Sequence, residues 1–253
     1  NDSRSLNPRG LRSCWSALMP FHAVIPAAGV GKRFGAALPK QYLMLAGSCI
    51  QAHTLNRLSA MPEFSQLVVA ISAEDTQAKN LPYAQPQRLQ FVLGGRERMD
   101  SVLAGLNALL AQGAGEMDWV LVHDVARPLV RPADIRLLMS TLQDDAVGGI
   151  LASPVRDTMK RGSAHGIVAT VDREQLWHAL TPQMFRLDAL RQALMAAQGS
   201  QALVTDEASA MERLGYQPKL VEGARDNIKI TFPDDLVLAE LLLAEQQRMG
   251  VSA

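Results

Sequence analysis

Cysteine is nearly absent from this chain: Cys14 and Cys49 are the two among 253 residues. They form no C-x-x-C pair, and no His/Cys cluster of zinc spacing accompanies them, which excludes a disulfide scaffold and a zinc module. Two isolated cysteines fit a reducing, cytoplasmic compartment, with Cys49 expected to be packed rather than reactive. Net charge is missing as well, because 25 Lys and Arg balance 25 Asp and Glu. A general nucleic-acid or membrane-surface binder needs a basic excess, so neither partner is expected. No apolar run is long enough for a signal peptide or a membrane span. Residues 1–20 are polar and irregular, and are expected to be a leader or a disordered extension.

What remains is ordinary globular material, 48% hydrophobic and 20% charged. A chain of this length can bury a sizeable core without staples, as one large α/β domain or two small ones. From residue 23 onward, short β-branched runs alternate with amphipathic stretches. Strands are expected at 23–29, 67–72, 89–95, 119–124 and 148–155, and helices at 50–61, 97–112 and 132–143. The runs are nearly continuous in Val, Ile and Leu, as in parallel strands covered on both faces. The alternation predicts an α/β fold with a mostly parallel, doubly wound sheet. Past residue 155 the pattern changes, and RDTMKRGSAHGIVATVDR reads as a projecting β-arm at about 154–178. Helices at 187–197 and 206–214, strand-like KLVEG and NIKI, and a final helix at 234–247 complete it. Residues 21–250 are read as one domain with this excursion.

In such a sheet, ligands bind beyond the carboxyl ends of the strands, so the loops there carry the chemistry. The first is AAGVGKRFGAALPKQY, residues 27–42. Gly29 and Gly31 allow close backbone approach, and Lys32, Arg33 and Lys40 add cations. The loop has neither the G-x-G-x-x-G spacing of a dinucleotide site nor Gly-Lys-[Ser/Thr] of a Walker A loop. It suits a nucleoside triphosphate; the plainer reading is a solvated turn with surface lysines. In VLVHDVARP, Asp124 at a strand terminus could hold Mg²⁺ or cap a helix, and Arg127 could steady the loop. In GGRERMDSV, Gly95 and Ser101 offer donors to a base or phosphate, although Asp100 and Ser101 equally read as helix-start residues. Lys229 in the apolar NIKI run must snorkel or find an anion, such as a phosphate.

Taken together, PAAGVGKRFGAALPKQY, VHDVARP, SPVRDTMKR, HALTPQ, TDEAS and DNIK resemble the 2-C-methyl-D-erythritol 4-phosphate cytidylyltransferase family of the non-mevalonate isoprenoid pathway. The resemblance runs from about residue 23 to the final helix, in the family's order and spacing. It implies a Rossmann-like nucleotidyltransferase fold and a homodimer interlocked by projecting arms. It also implies CTP and a polyol phosphate as substrates, Mg²⁺ as the divalent cation, and release of pyrophosphate. The family's catalytic cations fall on Arg33, Lys40 and Lys229, and its aspartate near the metal on Asp124. Nucleotide contacts fall on Ala27, Ala28, Gly29, Gly31, Lys32, Gly95, Ser101 and Asp124. Polyol-phosphate contacts fall on Thr158, Arg173 and Thr181, the first two reaching the partner subunit. One departure is Arg96, where the family pattern often has an acidic residue. Two rival readings remain: a cytidylyltransferase for another polyol phosphate such as ribitol 5-phosphate, and a non-catalytic nucleotide-binding protein.

Overall fold

Along each apolar run of the sheet, alternate side chains enter two different cores. The computed structural model describes residues 19–29, 39–200 and 204–251. Strand β1 (Phe21–Pro26) sends Ala23 and Ile25 to one face and Val24 to the other. Strand β4 (Phe64–Ile71), which follows the short β2 (Met44–Leu45) and β3 (Ser48–Cys49), splits likewise: Leu67, Val69 and Ile71 lie opposite Val68. Pleating makes the side-chain period two, so a run apolar at every position is buried on both faces.

The first core is closed by helices α1 (Ile50–Ser59) and α3 (Pro132–Leu142), through Leu55, Leu58, Ile135 and Leu138. The second is closed by α2 (Arg98–Ala111), α4 (Leu187–Gly199) and α5 (Glu207–Arg213), through Leu106, Leu109, Leu190 and Met211. Each such aliphatic side chain contributes about 1.5–3 kcal/mol by leaving water. Gly105 of α2 lies against β1, and a Cβ there would stand 2.5 Å from a methyl of Val24. The glycine is therefore what lets this helix approach the sheet.

The remaining strands are β5 (Leu89–Leu93), β6 (Trp119–Val122), β7 (Gly148–Pro154), β10 (Trp177–Arg186) and β11 (Lys219–Glu222). Seven strands are ordered β11-β7-β10-β6-β1-β4-β5. All neighbours are parallel except β10, which runs antiparallel to both β6 and β7. The expected mostly parallel α/β sheet is present. The chain leaves β1 toward β4 and β5, then returns to β6 on the opposite side of β1. That reversal opens a crevice at the carboxyl end of β1.

One expectation needs correction, and one strand lies where none was expected. NIKI is not a strand: the Ile228 amide donates to Asp226 O, Arg127 takes the Asn227 carbonyl, and Ile230 alone reaches Ala126 O at 2.9 Å. Side chains and a local turn satisfy this backbone where a ladder would otherwise do so. The expected arm ends at about 178 and no element is expected at 179–186, whereas β10 (Trp177–Arg186) enters the middle of the sheet. The arm itself is β8 (Met159–Ser163) paired with β9 (Gly166–Val171), and nearly all its side chains are exposed. Residues 1–18 of the expected leader lie outside the described residues. Helix α6 (Pro233–Arg248) packs Ala239 and Leu243 onto Leu45, Ile50, Leu129 and Ile230. Among the described residues no helix is long and apolar enough to cross a membrane.

Candidate active site

The crevice beyond β1 is lined by the ends of three strands and by the 229–231 segment. The first contribution is Ala27, Ala28 and Gly29. The Ala27 amide donates to Ala70 O at 2.7 Å, which continues the sheet by one residue. Its carbonyl accepts from Gln41 Nε2 at 3.2 Å, tying the Lys40 turn to the strand end. Lys40 opens a short 3₁₀ turn (Lys40–Tyr42) and donates through Nζ to Ile230 O at 3.1 Å. The nucleotide-loop candidates Gly31, Lys32 and Arg33 lie outside the described residues.

The second contribution follows β5. Ser101 is buried in the first turn of α2, and the Gly95 amide donates to its hydroxyl at 3.2 Å. The Glu97 amide donates to Asp100 at 3.1 Å, as in half of a capping box, so the helix-start reading of Asp100 holds. A Cβ on Gly94 would fall 2.7 Å from Ser101 Oγ and 2.8 Å from Ala28 Cβ, so this turn is pressed against the first loop. Arg96 and Glu97 stand exposed at the rim, and Arg98 reaches inward.

The third contribution is Asp124, two residues past β6 and 7% exposed. Arg98 Nε meets its Oδ1 at 2.9 Å, Lys229 Nζ its Oδ2 at 2.8 Å, and Arg127 Nε lies 3.7 Å from Oδ2. Burial alone would raise the Asp124 pKa. The charges of Arg98 and Lys229, the Lys229 hydrogen bond and the Arg127 charge outweigh it, holding the carboxyl well below the usual range. Lys229 therefore does find an anion, and in this arrangement it is Asp124. Arg127 does steady the loop, donating to Asn227 O at 2.7 Å and Ala179 O at 3.4 Å. Arg98 also grips Glu207 with both terminal nitrogens, at 2.6 and 3.0 Å.

Thr181 stands behind Asp124 and is not part of the cleft wall. Its hydroxyl accepts from the Asp124 amide at 3.1 Å and bonds His123 Nδ1 at 2.9 Å. Nε2 of the same ring lies 3.1 Å from Arg127 O. Burial pushes His123 down to about 4, so the ring is neutral at pH 7. Thr158 and Arg173 are exposed on the arm, outside the cleft lining, and Arg173 donates to the Arg156 carbonyl. The structure thus brings Ala27, Ala28, Gly29, Lys40, Gly95, Ser101, Asp124 and Lys229 together in one protomer.

Arg98 and Glu207 were not singled out from sequence. Their only signal was position: a cation beside the turn after β5, and an acid inside TDEAS.

Cations converging on a strand-end carboxylate, beside a backbone loop at the switch point, suit a polyanionic nucleotide. Among the described residues no group of three or more His, Cys, Asp or Glu could hold a metal. Asp124 is ionised and accepts one partner on each oxygen, whereas a carboxylate has about four acceptor sites. That fits a Mg²⁺ bound through one carboxylate and substrate phosphates, better than a protein-caged ion.

The family model of 2-C-methyl-D-erythritol 4-phosphate cytidylyltransferase (IspD) matches residues 21–245. The enzyme of that description from Ectopseudomonas mendocina is 52% identical over 229 residues, covering 90% of this chain and 97% of its own. That from Vibrio cholerae is 52% identical, covering 89% and 97%. The crystal structure of the Francisella tularensis enzyme superposes with a TM-score of 0.76 at 36% identity, covering 88% of this chain and 99% of that one. With the family model matched over residues 21–245 and relatives of this description about 52% identical over nearly their whole length, the chain belongs to the 2-C-methyl-D-erythritol 4-phosphate cytidylyltransferase family of nucleotidyltransferase enzymes.

Proposed function

We propose that the chain transfers CMP from CTP to 2-C-methyl-D-erythritol 4-phosphate, giving 4-diphosphocytidyl-2-C-methyl-D-erythritol and pyrophosphate for isoprenoid precursor synthesis. The observation that carries this is the family match over residues 21–245, with Lys40, Lys229 and Asp124 of the family motifs in one cleft. In the reaction, a phosphate oxygen of the polyol phosphate attacks the α-phosphorus of CTP. The new P–O bond forms as the bond from the α-phosphorus to the bridging oxygen breaks, and pyrophosphate leaves. The nucleophile is already anionic at neutral pH, so no covalent enzyme intermediate is required. Catalysis then consists of bringing two polyanions together and neutralising charge at the α-phosphate. Lys40 and Lys229 supply that charge, with Arg33 from the first loop. Ala27, Ala28, Gly95 and Ser101 hold the base and ribose, and Gly29, Gly31 and Lys32 the phosphates. Bound Mg²⁺, held at Asp124, would add Lewis-acid neutralisation of phosphate oxygens.

The arm completes the reading. A two-stranded ribbon is marginal alone in water, and this one exposes Ile167 at 70% and Val168 at 61%. A homodimer that exchanges arms covers those side chains and carries Thr158 and Arg173 to the partner's cleft. Residues 21–250 then act as one nucleotidyltransferase domain with the arm at 154–178.

The test is pyrophosphate release from CTP and Mg²⁺, with methylerythritol 4-phosphate and ribitol 5-phosphate in parallel. Release with the first substrate alone is expected. Release with ribitol phosphate alone would overturn the substrate and keep the chemistry. Silence with both, beside measurable CTP binding, would favour a binding protein.

A further inference from the structure

Glu207 is a buried acid that the reaction described above does not use. It opens α5, is 1% exposed, and does not line the cleft. Its two oxygens hold the two terminal nitrogens of Arg98, Oε1 to Nη1 at 2.6 Å and Oε2 to Nη2 at 3.0 Å. A fork-to-fork pair of this kind sets the plane of the guanidinium as well as its place. The Nε–H of Arg98 is then directed at the cleft, where it donates to Asp124 Oδ1 at 2.9 Å. Oδ2 of Asp124 is thereby left to Lys229 Nζ at 2.8 Å.

Four charges of alternating sign thus run from α5 through the start of α2 to two loops at the cleft, all far apart in sequence. We propose that Glu207 is a positioning residue for Asp124 and Lys229, acting through Arg98. The proposal rests on the nucleotidyl-transfer reading, in which Lys229 meets phosphate. With the Glu207 charge removed, the Arg98 fork is free to turn onto Asp124 and take both oxygens side-on. Lys229 then loses its fixed point, and a flexible four-carbon stem no longer presents its ammonium in one place. A pair serving packing alone would not need a shared donor, yet the Arg98 side chain is 28% exposed at the cleft and divides itself between the two acids.

The experiment compares steady-state pyrophosphate release by wild type, Glu207→Gln, Arg98→Gln, the double variant and Glu207→Asp, each with its melting temperature. The double variant removes both charges and so leaves no buried ion without a partner. Glu207→Gln is expected to lower kcat about 30-fold, because a misplacement near 1 Å can cost on the order of 100-fold. KM for CTP should move by less than about threefold, since the loss is of orientation and not of nucleotide contact. Glu207→Asp should recover part of kcat, and Glu207→Gln should cost nothing further in the Arg98→Gln background. A kcat within about twofold of wild type in folded Glu207→Gln overturns the proposal, as does a loss that adds in full to that of Arg98→Gln. Should Glu207→Gln fail to fold, the double variant is compared with Arg98→Gln: equal turnover upholds the proposal, and a further loss above about tenfold overturns it. Wild-type protein that releases no pyrophosphate sinks the transfer reading itself, and the positioning role with it.

Discussion

The cleft floor and the arm solve opposite problems with similar residue types. At the floor, Arg98, Lys229 and Arg127 each bring a nitrogen within 3.7 Å of an Asp124 carboxylate oxygen. Neighbouring side chains and backbone oxygens hold each of them. On the arm, Arg173 and Thr158 stand on a ribbon with hardly a buried side chain, held chiefly by its own ladder. The floor is therefore preorganised within one protomer. The arm leaves Ile167 and Val168 uncovered within the protomer, and an exchange of arms would cover them. Preorganised charge suits a site where a charged transition state forms.

The strongest way to test that contrast is to remove one charge from the floor. Lys40→Ala should lower kcat by about 100- to 1,000-fold, equal to about 2.7–4 kcal/mol of transition-state stabilisation, while the melting temperature barely moves. Near-normal turnover would take Lys40 out of the mechanism. The arm is tested by mixing. Lys40→Ala and Arg173→Ala homodimers should each be nearly inactive, yet an equal mixture should regain about a quarter of wild-type turnover. Half of the re-formed dimers are then mixed, and each has one intact cleft. No recovery after subunit exchange would place Arg173 outside the partner's site.

A matched pair of glycines compares packing in the two regions. Gly105→Ala should cost about 1–3 kcal/mol in urea unfolding, because its Cβ meets Val24 at 2.5 Å. Gly162→Ala on the arm, with nothing nearer than 3.9 Å, should change stability by less than about 0.5 kcal/mol. Equal losses would mean that the arm is packed within the protomer after all.

The smallest effect concerns acid. Burial holds His123 at about 4 in the folded protein, against an ordinary 6.5. Between those values the unfolded chain binds the extra proton, so stability falls as pH drops from 6.5 toward 4. The slope is at most about 1.4 kcal/mol per pH unit. His123→Gln should flatten unfolding free energies measured at pH 6.5 and 5. An unchanged slope would assign the titration to another group.

How far each part could be read from sequence follows from where its partners lie. The parallel strands were legible because burial on both faces leaves an unbroken apolar run, as in WVLV. β10 was not, because its first residues are exposed on the arm and only its later part, from Leu180, is buried. NIKI misled because Ile230 is apolar for the sake of α6 and not of a ladder. Lys40, Asp124 and Lys229 could be singled out as ionisable groups at strand ends or in apolar runs. Thr181 carries no sequence signal for the bonds its hydroxyl makes to the Asp124 amide and His123, because these partners lie 57 and 58 residues away.

The sequence by itself determined the periodicities, and through them the two-faced sheet and the loops that meet at its carboxyl edge. It also carried the motifs that mark the family. Only tertiary structure decided which charge faces which: the Arg98–Glu207 pair spans 109 residues, and Asp124 is shared by cations from three different segments. Hydrophobic periodicity is local and repeats along the chain. An ion pair depends on a distance of a few ångströms between segments that come together only in the folded sheet.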